Sequence, residues 1–228
     1  MSDERRFLTM DDGVRIAVTL HLPDHVPPPW PVVFEARPYR KDDISDSTAL
    51  YRRLVEEGGL AVCRADVRGT GSSEGIADSE YTQRELDDWV QVIAWLAEQE
   101  WSNGSVGMFG TSYSGFNSLQ VAALRPPALK AIIPIYATDR RYTDDVHFGG
   151  GVRRCLDFLD YPMLMVAMNA LPPVPGSVRR AGAVLHAGRR GARTEGGGVG
   201  PPGHRPRRAL RGPAPDRRGG DGRGLPGG

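Results

Sequence analysis

Apolar and polar positions alternate between Val14 and Leu22, with Val14, Ile16, Val18 and Leu20 on one side. Period two with β-branched residues predicts a strand, opened by the turn Asp11-Asp12-Gly13. Pro23 to Pro31 reads as a proline-rich loop. Val32-Val-Phe-Glu-Ala36 reads as a second strand, ending at Arg37-Pro-Tyr-Arg-Lys41. A short helix is expected over Thr48–Glu57, with Leu50, Tyr51, Leu54 and Val55 on one face and Gly58-Gly59 as its stop. Leu60 to Ala65 is a strand of buried type, followed by the turn-rich Asp66–Gly75. The strongest helical period runs from about 82 to 99. There Leu86, Trp89, Val90, Ile93, Leu96 and Ala97 form one stripe, read as core, and Thr82 with Glu85 fits a capping box.

A further strand is expected at Val106–Phe109, a helix at Phe116–Leu124 before Pro126-Pro127, and another buried strand at Leu129–Tyr136. Strands and helices thus alternate from residue 32 onward, which predicts an α/β fold with a mostly parallel sheet and flanking helices. Reactive groups of such sheets sit at the carboxyl ends of the strands. Tyr39, Asp66 and Ser112 occupy such positions.

The pattern changes after Gly149. Leu156, Leu159, Met163, Leu164, Val166 and Met168 make a Met-rich apolar stretch to Ala170, expected to be helical and broken near Pro162. Beyond Pro175 no period remains. Residues 176–228 hold 16 Gly, 12 Arg, 6 Pro and 6 Ala, with no aromatic residue and no lysine. So little apolar surface cannot offset ordering entropy, and disorder is expected. The division is therefore 1–145 as a core, 146–175 as the start of a helical cap, and 176–228 as a tail.

The net charge of +1 conceals this division. Residues 1–175 hold 17 basic against 25 acidic residues, whereas the tail holds 12 arginines against 3 acids. Cys63 and Cys155 make neither a disulfide framework nor a metal-ligand spacing, which suits a reduced, cytoplasmic setting. Met1 to Arg6 is charged and no long apolar run follows, so neither a signal peptide nor a membrane partner is expected. Arg-Gly segments can bind RNA, but these arginines fall in irregular pairs with no aromatic residue between them. No nucleic-acid partner is expected, and RNA binding is the remote alternative.

The candidate chemistry lies in Ser105-Val-Gly-Met-Phe-Gly-Thr-Ser-Tyr-Ser-Gly115. An apolar strand, a turn of small residues and a helix are the context of a nucleophile elbow. Gly110 fits G-x-S-x-G, but Ser114 holds the second glycine position and Gly115 follows it. The motif alone leaves two readings, a nucleophilic Ser112 or a glycine-rich turn. Asp66 is expected to hold its loop and Arg68 in place, and His147 to be a surface or packing residue. For the charged run 139–145 there are two readings, a lining of the site mouth or, as the default, a solvated loop.

Several stretches in order resemble the CocE/NonD family of α/β-hydrolases, which takes in esterases and X-prolyl dipeptidyl-peptidases. They are Asp12-Gly-Val-Arg-Ile-Ala17, Arg37-Pro-Tyr-Arg-Lys41, Asp66-Val-Arg-Gly69 with Ser73-Glu-Gly75, Trp101 to Gly115, and Ala123 to Ala131. The resemblance covers about residues 8 to 172, and the family spaces its glycine as Ser114-Gly115 does. It implies the N-terminal portion of an α/β-hydrolase and a serine hydrolase acting on an ester, amide or peptide through an acyl-enzyme. In that reading Ser112 is the nucleophile, while the Tyr113 backbone N–H and the Tyr39 hydroxyl are oxyanion donors. No cofactor or metal is implied.

The family's triad Asp and His come far downstream of the serine. Here Asp157 and Asp160 lie where the cap begins, and the later histidines are His147, His186 and His204. None of them is assigned to a triad. An inert, truncated chain is therefore the alternative, with the Gly/Arg tail read as a frameshifted stretch of a GC-rich gene. The particular ester or amide and the oligomeric state stay open.

Overall fold

The computed structural model describes residues 1–45, 48–172 and 174. The tail expected to be disordered lies outside the described residues, with His186 and His204. So does the side chain of Asp157.

The elements run β1 (Ser2–Thr9), β2 (Arg15–Leu22), β3 (Trp30–Arg37), α1 (Thr48–Glu56), β4 (Ala61–Asp66), α2 (Gln83–Ala97), β5 (Ser102–Thr111), α3 (Tyr113–Leu124), β6 (Leu129–Ile135), β7 (Phe148–Gly149), β8 (Val152–Arg153) and α4 (Cys155–Ala170). The main sheet has the order β1-β2-β4-β3-β5-β6. β1 and β2 form an antiparallel hairpin, and β2 pairs antiparallel with β4. β4, β3, β5 and β6 are parallel. This is the α/β arrangement expected from the alternating pattern. β1 was not expected, because its Asp3-Glu-Arg-Arg6 run carries no apolar alternation. Its ladder to β2 supplies the order that its side chains do not.

The core lies between the sheet and its helices. Trp89 and Ile93 of α2 are fully buried, and the Trp89 ring packs 5.8 Å from Phe34 of β3. Tyr51 and Val55 of α1 are buried against Val62 on the other side of the sheet. Leu50, assigned to the same helical face, is exposed instead. Helical spacing puts it about 120° round the axis from the mean direction of Tyr51 and Val55, at the rim of that face.

Two further expectations fail. β6 is not a buried strand: Ile133 is 62% and Ile135 39% exposed. Among the described residues β6 pairs only with β5, so it forms the sheet edge and only its α3-facing side is covered. α4 is also not broken at Pro162 but runs from Cys155 to Ala170 with the proline inside it. Tyr161 before the proline and Met168 after it are both turned to the body of the protein, which anchors the helix on either side.

Candidate active site

β3, β4 and β5 are neighbours in the sheet, and their carboxyl ends carry Tyr39, Asp66 and Ser112 respectively. The three residues singled out by position are thus delivered to one end of the sheet.

The turn from β5 to α3 is tight. Ser112 has φ 58° and ψ −115°, a conformation that L-residues avoid. Its N–H bonds to Ile135 O at 2.8 Å, and its carbonyl accepts the first helical bond from Phe116 N at 2.9 Å. A Cβ on Gly110 would lie 2.0 Å from Ser114 Cβ. A Cβ on Gly115 would lie 2.8 Å from Ile135 O and 2.9 Å from Gly110 O. The departure from G-x-S-x-G is thereby explained. Ser114 occupies the space that the missing Gly110 side chain leaves, and the close backbone approach falls on Gly115.

Tyr39 follows β3 in the loop Pro38–Ser45. Its hydroxyl interacts with the Ser112 side chain and lies 3.4 Å from the Tyr161 hydroxyl. Burial is the main cause that raises its pKa, so the phenol stays protonated at neutral pH. Tyr113 begins α3, so its backbone N–H is one of the first-turn amides without an intrahelical acceptor. Its ring stacks on Tyr81 at 4.2 Å and meets Tyr39 edge-on at 6.2 Å. Its hydroxyl donates to Glu85 Oε2 at 2.8 Å.

Asp66 holds its loop, as expected, by accepting from Lys41 N and Ser72 N, each at 2.9 Å. Gly71 is required there, because a Cβ would lie 2.4 Å from the Asp66 carboxyl and its φ is +52°. Arg68, expected to pair with Asp66, instead bridges Asp88 and Asp12, each at 2.8 Å. Asp88 comes from the buried face of α2, which places a carboxylate next to the guanidinium. The 139–145 run is not simply a solvated loop either. Arg141 lies over the Phe116 and Tyr81 rings at 4.2 and 4.8 Å and pairs with the buried Asp145 at 2.9 Å. Two aromatic faces and a carboxylate draw that guanidinium inward.

A cavity of about 880 Å³ opens beside Tyr113 and Tyr161. Pro38, Val67, Met165 and Val166 give it an apolar wall, with Asp78, Glu80 and His147 as its charged or ionisable lining. His147 Nε2 faces Glu80 Oε2 at 3.3 Å. Asp160 is exposed. Among the described residues no group of His, Cys, Asp or Glu is arranged to hold a metal ion, and no helix is long and apolar enough to cross a membrane. Sequence reasoning missed Tyr161, which lay in a stretch read only as apolar, and saw Glu85 only as a helix cap.

Sheet order, crossover helices and the strained turn after β5 together define an α/β-hydrolase. Comparison with solved proteins agrees. A CocE/NonD family hydrolase from Staphylococcus aureus superposes with a TM-score of 0.63 at 27% identity, over 73% of this chain and 33% of that one. An α-amino acid ester hydrolase superposes with a TM-score of 0.60 at 28% identity, over 74% of this chain and 30% of that one.

The chain belongs to the X-Pro dipeptidyl-peptidase (S15) family, whose model matches residues 12–188, and its relatives are of CocE/NonD type. The match reaches past residue 172, where the resemblance read from the sequence ends. The cocaine esterase of Rhodococcus sp. (strain MB1 Bresler) is 37% identical over 147 residues, which is 62% of this chain and 25% of the esterase. The chain spans about a quarter of the length of the curated relatives it matches.

Proposed function

We propose that the protein is a serine hydrolase that cleaves an ester or amide through an acyl-enzyme on Ser112. The observation that carries this reading is the positive φ of Ser112 at the strand–helix turn, at the end of the strand next to the one that leads to Tyr39. A non-glycine residue in such a conformation costs about 1–3 kcal/mol and persists where the surroundings impose it, often at functional sites.

In this reading a general base takes the Ser112 Oγ proton as that oxygen attacks the carbonyl carbon, and the carbonyl oxygen becomes an oxyanion held by the Tyr113 N–H and the Tyr39 hydroxyl. The proton is passed on to the departing alcohol or amine. The tetrahedral adduct expels the alcohol or amine, and water then releases the acid and regenerates the serine. Each donor contributes about 10²–10³ in rate by stabilising charge that develops only in the transition state. The cavity beside Tyr113 and Tyr161 receives part of the substrate against its apolar wall. Residues 1–145 act as the hydrolase core, and 146–175 begin the cap over it.

Ser112 needs a general base, because a protonated alcohol is a weak nucleophile. A fluorophosphonate probe tests the reading directly. Labelling of the folded wild-type protein, lost in Ser112→Ala, supports it. A folded protein that stays unlabelled supports the alternative of an inert chain.

A further inference from the structure

The proposed mechanism uses the backbone of Tyr113 but leaves its side chain, and the carboxylate beneath it, without a role. Glu85 is the third residue of α2 and is 2% exposed. Thr82 caps the helix in the expected way, accepting from Glu85 N at 3.2 Å. In a capping box the glutamate would reach back to the N–H of the capping residue, at the protein surface. Glu85 does neither. Its carboxylate turns inward and accepts from the Tyr81 N–H at 3.1 Å, the Tyr113 hydroxyl at 2.8 Å and Trp89 Nε1 at 3.3 Å. The Asn117 side chain lies beside the same carboxylate and favours its charged form. Asn117 Nδ2 also reaches Ala36 O at 3.4 Å, near the end of the strand that leads to Tyr39.

Burying a carboxylate is unfavourable unless its bonds are needed and complete. Here they converge on the elbow. Tyr81 has φ 53° and stacks on the Tyr113 ring, while Ser112 on the other side has φ 58°. Two strained residues therefore clamp Tyr113 at its ring and at its backbone, and Glu85 holds its far end. An apolar residue at position 85 would fill the space but would leave the Tyr113 hydroxyl and the Tyr81 N–H without this acceptor.

We propose that Glu85 is a positioning residue for the oxyanion hole: it fixes Tyr113, whose N–H is one donor, and through Asn117 steadies the strand end that presents Tyr39, the other. The inference rests on the acyl-enzyme reading above. It differs from a capping or packing role in one respect. Its loss should slow the step in which the oxyanion forms while leaving initial binding alone.

The test is the kinetics of fluorophosphonate labelling in wild type, Glu85→Gln, Tyr113→Phe and the double variant. Glu85→Gln keeps the shape of the side chain, and Tyr113→Phe keeps the backbone donor while cutting the link from the other end. The maximal labelling rate should fall about 10-fold or more in each single variant, with half-saturating probe concentration unchanged. The double variant should be no slower than the worse single one, because both weaken the same link, glutamine by losing the charge and phenylalanine by losing the hydroxyl. Leu96→Ala, a core truncation in the same helix, serves as the control for lost stability. It should lower the melting temperature without the same loss of rate. A folded Glu85→Gln protein labelled at the wild-type rate would overturn the inference and leave the serine reading intact. Equal slowing by Leu96→Ala at matched stability would overturn it too. If Glu85→Gln does not fold, Tyr113→Phe decides alone by the same two readouts. A folded wild type that is never labelled would overturn the acyl-enzyme reading, and this inference with it.

Discussion

The hydroxyls of Tyr39 and Tyr161 face each other at 3.4 Å, so the loop after β3 and helix α4 meet at the candidate oxyanion site. The Ser112 side chain acts weakly on the Tyr39 phenol, whereas Tyr161 is linked to the serine only through Tyr39 among the contacts described. The two phenols should therefore differ in weight. Tyr39→Phe should slow labelling of Ser112 by about 10²–10³. Tyr161→Phe removes one neutral hydrogen bond, worth about 1 kcal/mol, and should slow it about fivefold. Rate constants for both variants with one probe check the order. Equal effects would mean that Tyr161 itself touches the reacting group.

Ser112 should be a poor residue for stability. Glycine adopts its φ of 58° without strain, but alanine does not. Ser112→Gly should therefore be more stable than Ser112→Ala by about 1 kcal/mol, while both abolish labelling. Chemical denaturation of the two variants measures the difference directly.

The close approach of α3 to the end of β6 leaves no room for a methyl group on Gly115. Gly115→Ala should cost about 1–3 kcal/mol, because both atoms it would strike are backbone carbonyl oxygens that cannot swing aside. Gly107→Ala is the comparison, since its nearest neighbour would lie at 3.6 Å, an ordinary contact distance. It should be much better tolerated in the same melting experiment.

Acid should loosen the loop that carries Tyr39. Burial alone would raise the pKa of Asp42, but the charge of Lys41 and the hydrogen bonds from Lys41 and Thr19 outweigh it, so the pKa lies below the usual 3.8. A carboxylate depressed in this way stabilises the fold above its unfolded pKa, and that contribution is lost as pH falls through the folded value. Wild-type stability should thus drop below about pH 4, and Asp42→Asn should show a shallower drop over the same range. Urea midpoints measured as a function of pH give both slopes.

The cysteines should separate cleanly. Cys63 lies in the middle of β4, and burial pushes its thiol up to about 12, whereas Cys155 is exposed at the start of α4. A thiol reagent at neutral pH should modify Cys155 in the native protein and both cysteines after unfolding. Cys155→Ser should leave the native protein unreactive.

Much of the site was legible because position and motif agreed. Tyr39, Asp66 and Ser112 were placed by the ends of predicted strands, and the structure brings those ends together. The burial of Trp89 and Ile93 followed from helical spacing. What sequence did not reveal depends on packing across the fold. Glu85 sits where local rules predict a cap, and only the arrival of Tyr113 and Asn117 from α3 turns it inward. Arg141 looked solvated because its partners, Tyr81 and Phe116, are distant in sequence. β6 has the apolar composition of an interior strand, and composition does not tell an interior strand from one at the edge.

The two margins of the sheet are unlike. On β1 the outer strand presents Glu4, Arg5 and Arg6, charges that discourage another strand from pairing there. On β6 the margin carries Ile133, Ile135 and Tyr136, all exposed, with no charged residue after Lys130. Among the described residues the sheet thus ends in a charged strand on one flank and an apolar one on the other. The apolar margin is the one that lies next to the elbow, and the charged margin lies at the far side of the sheet.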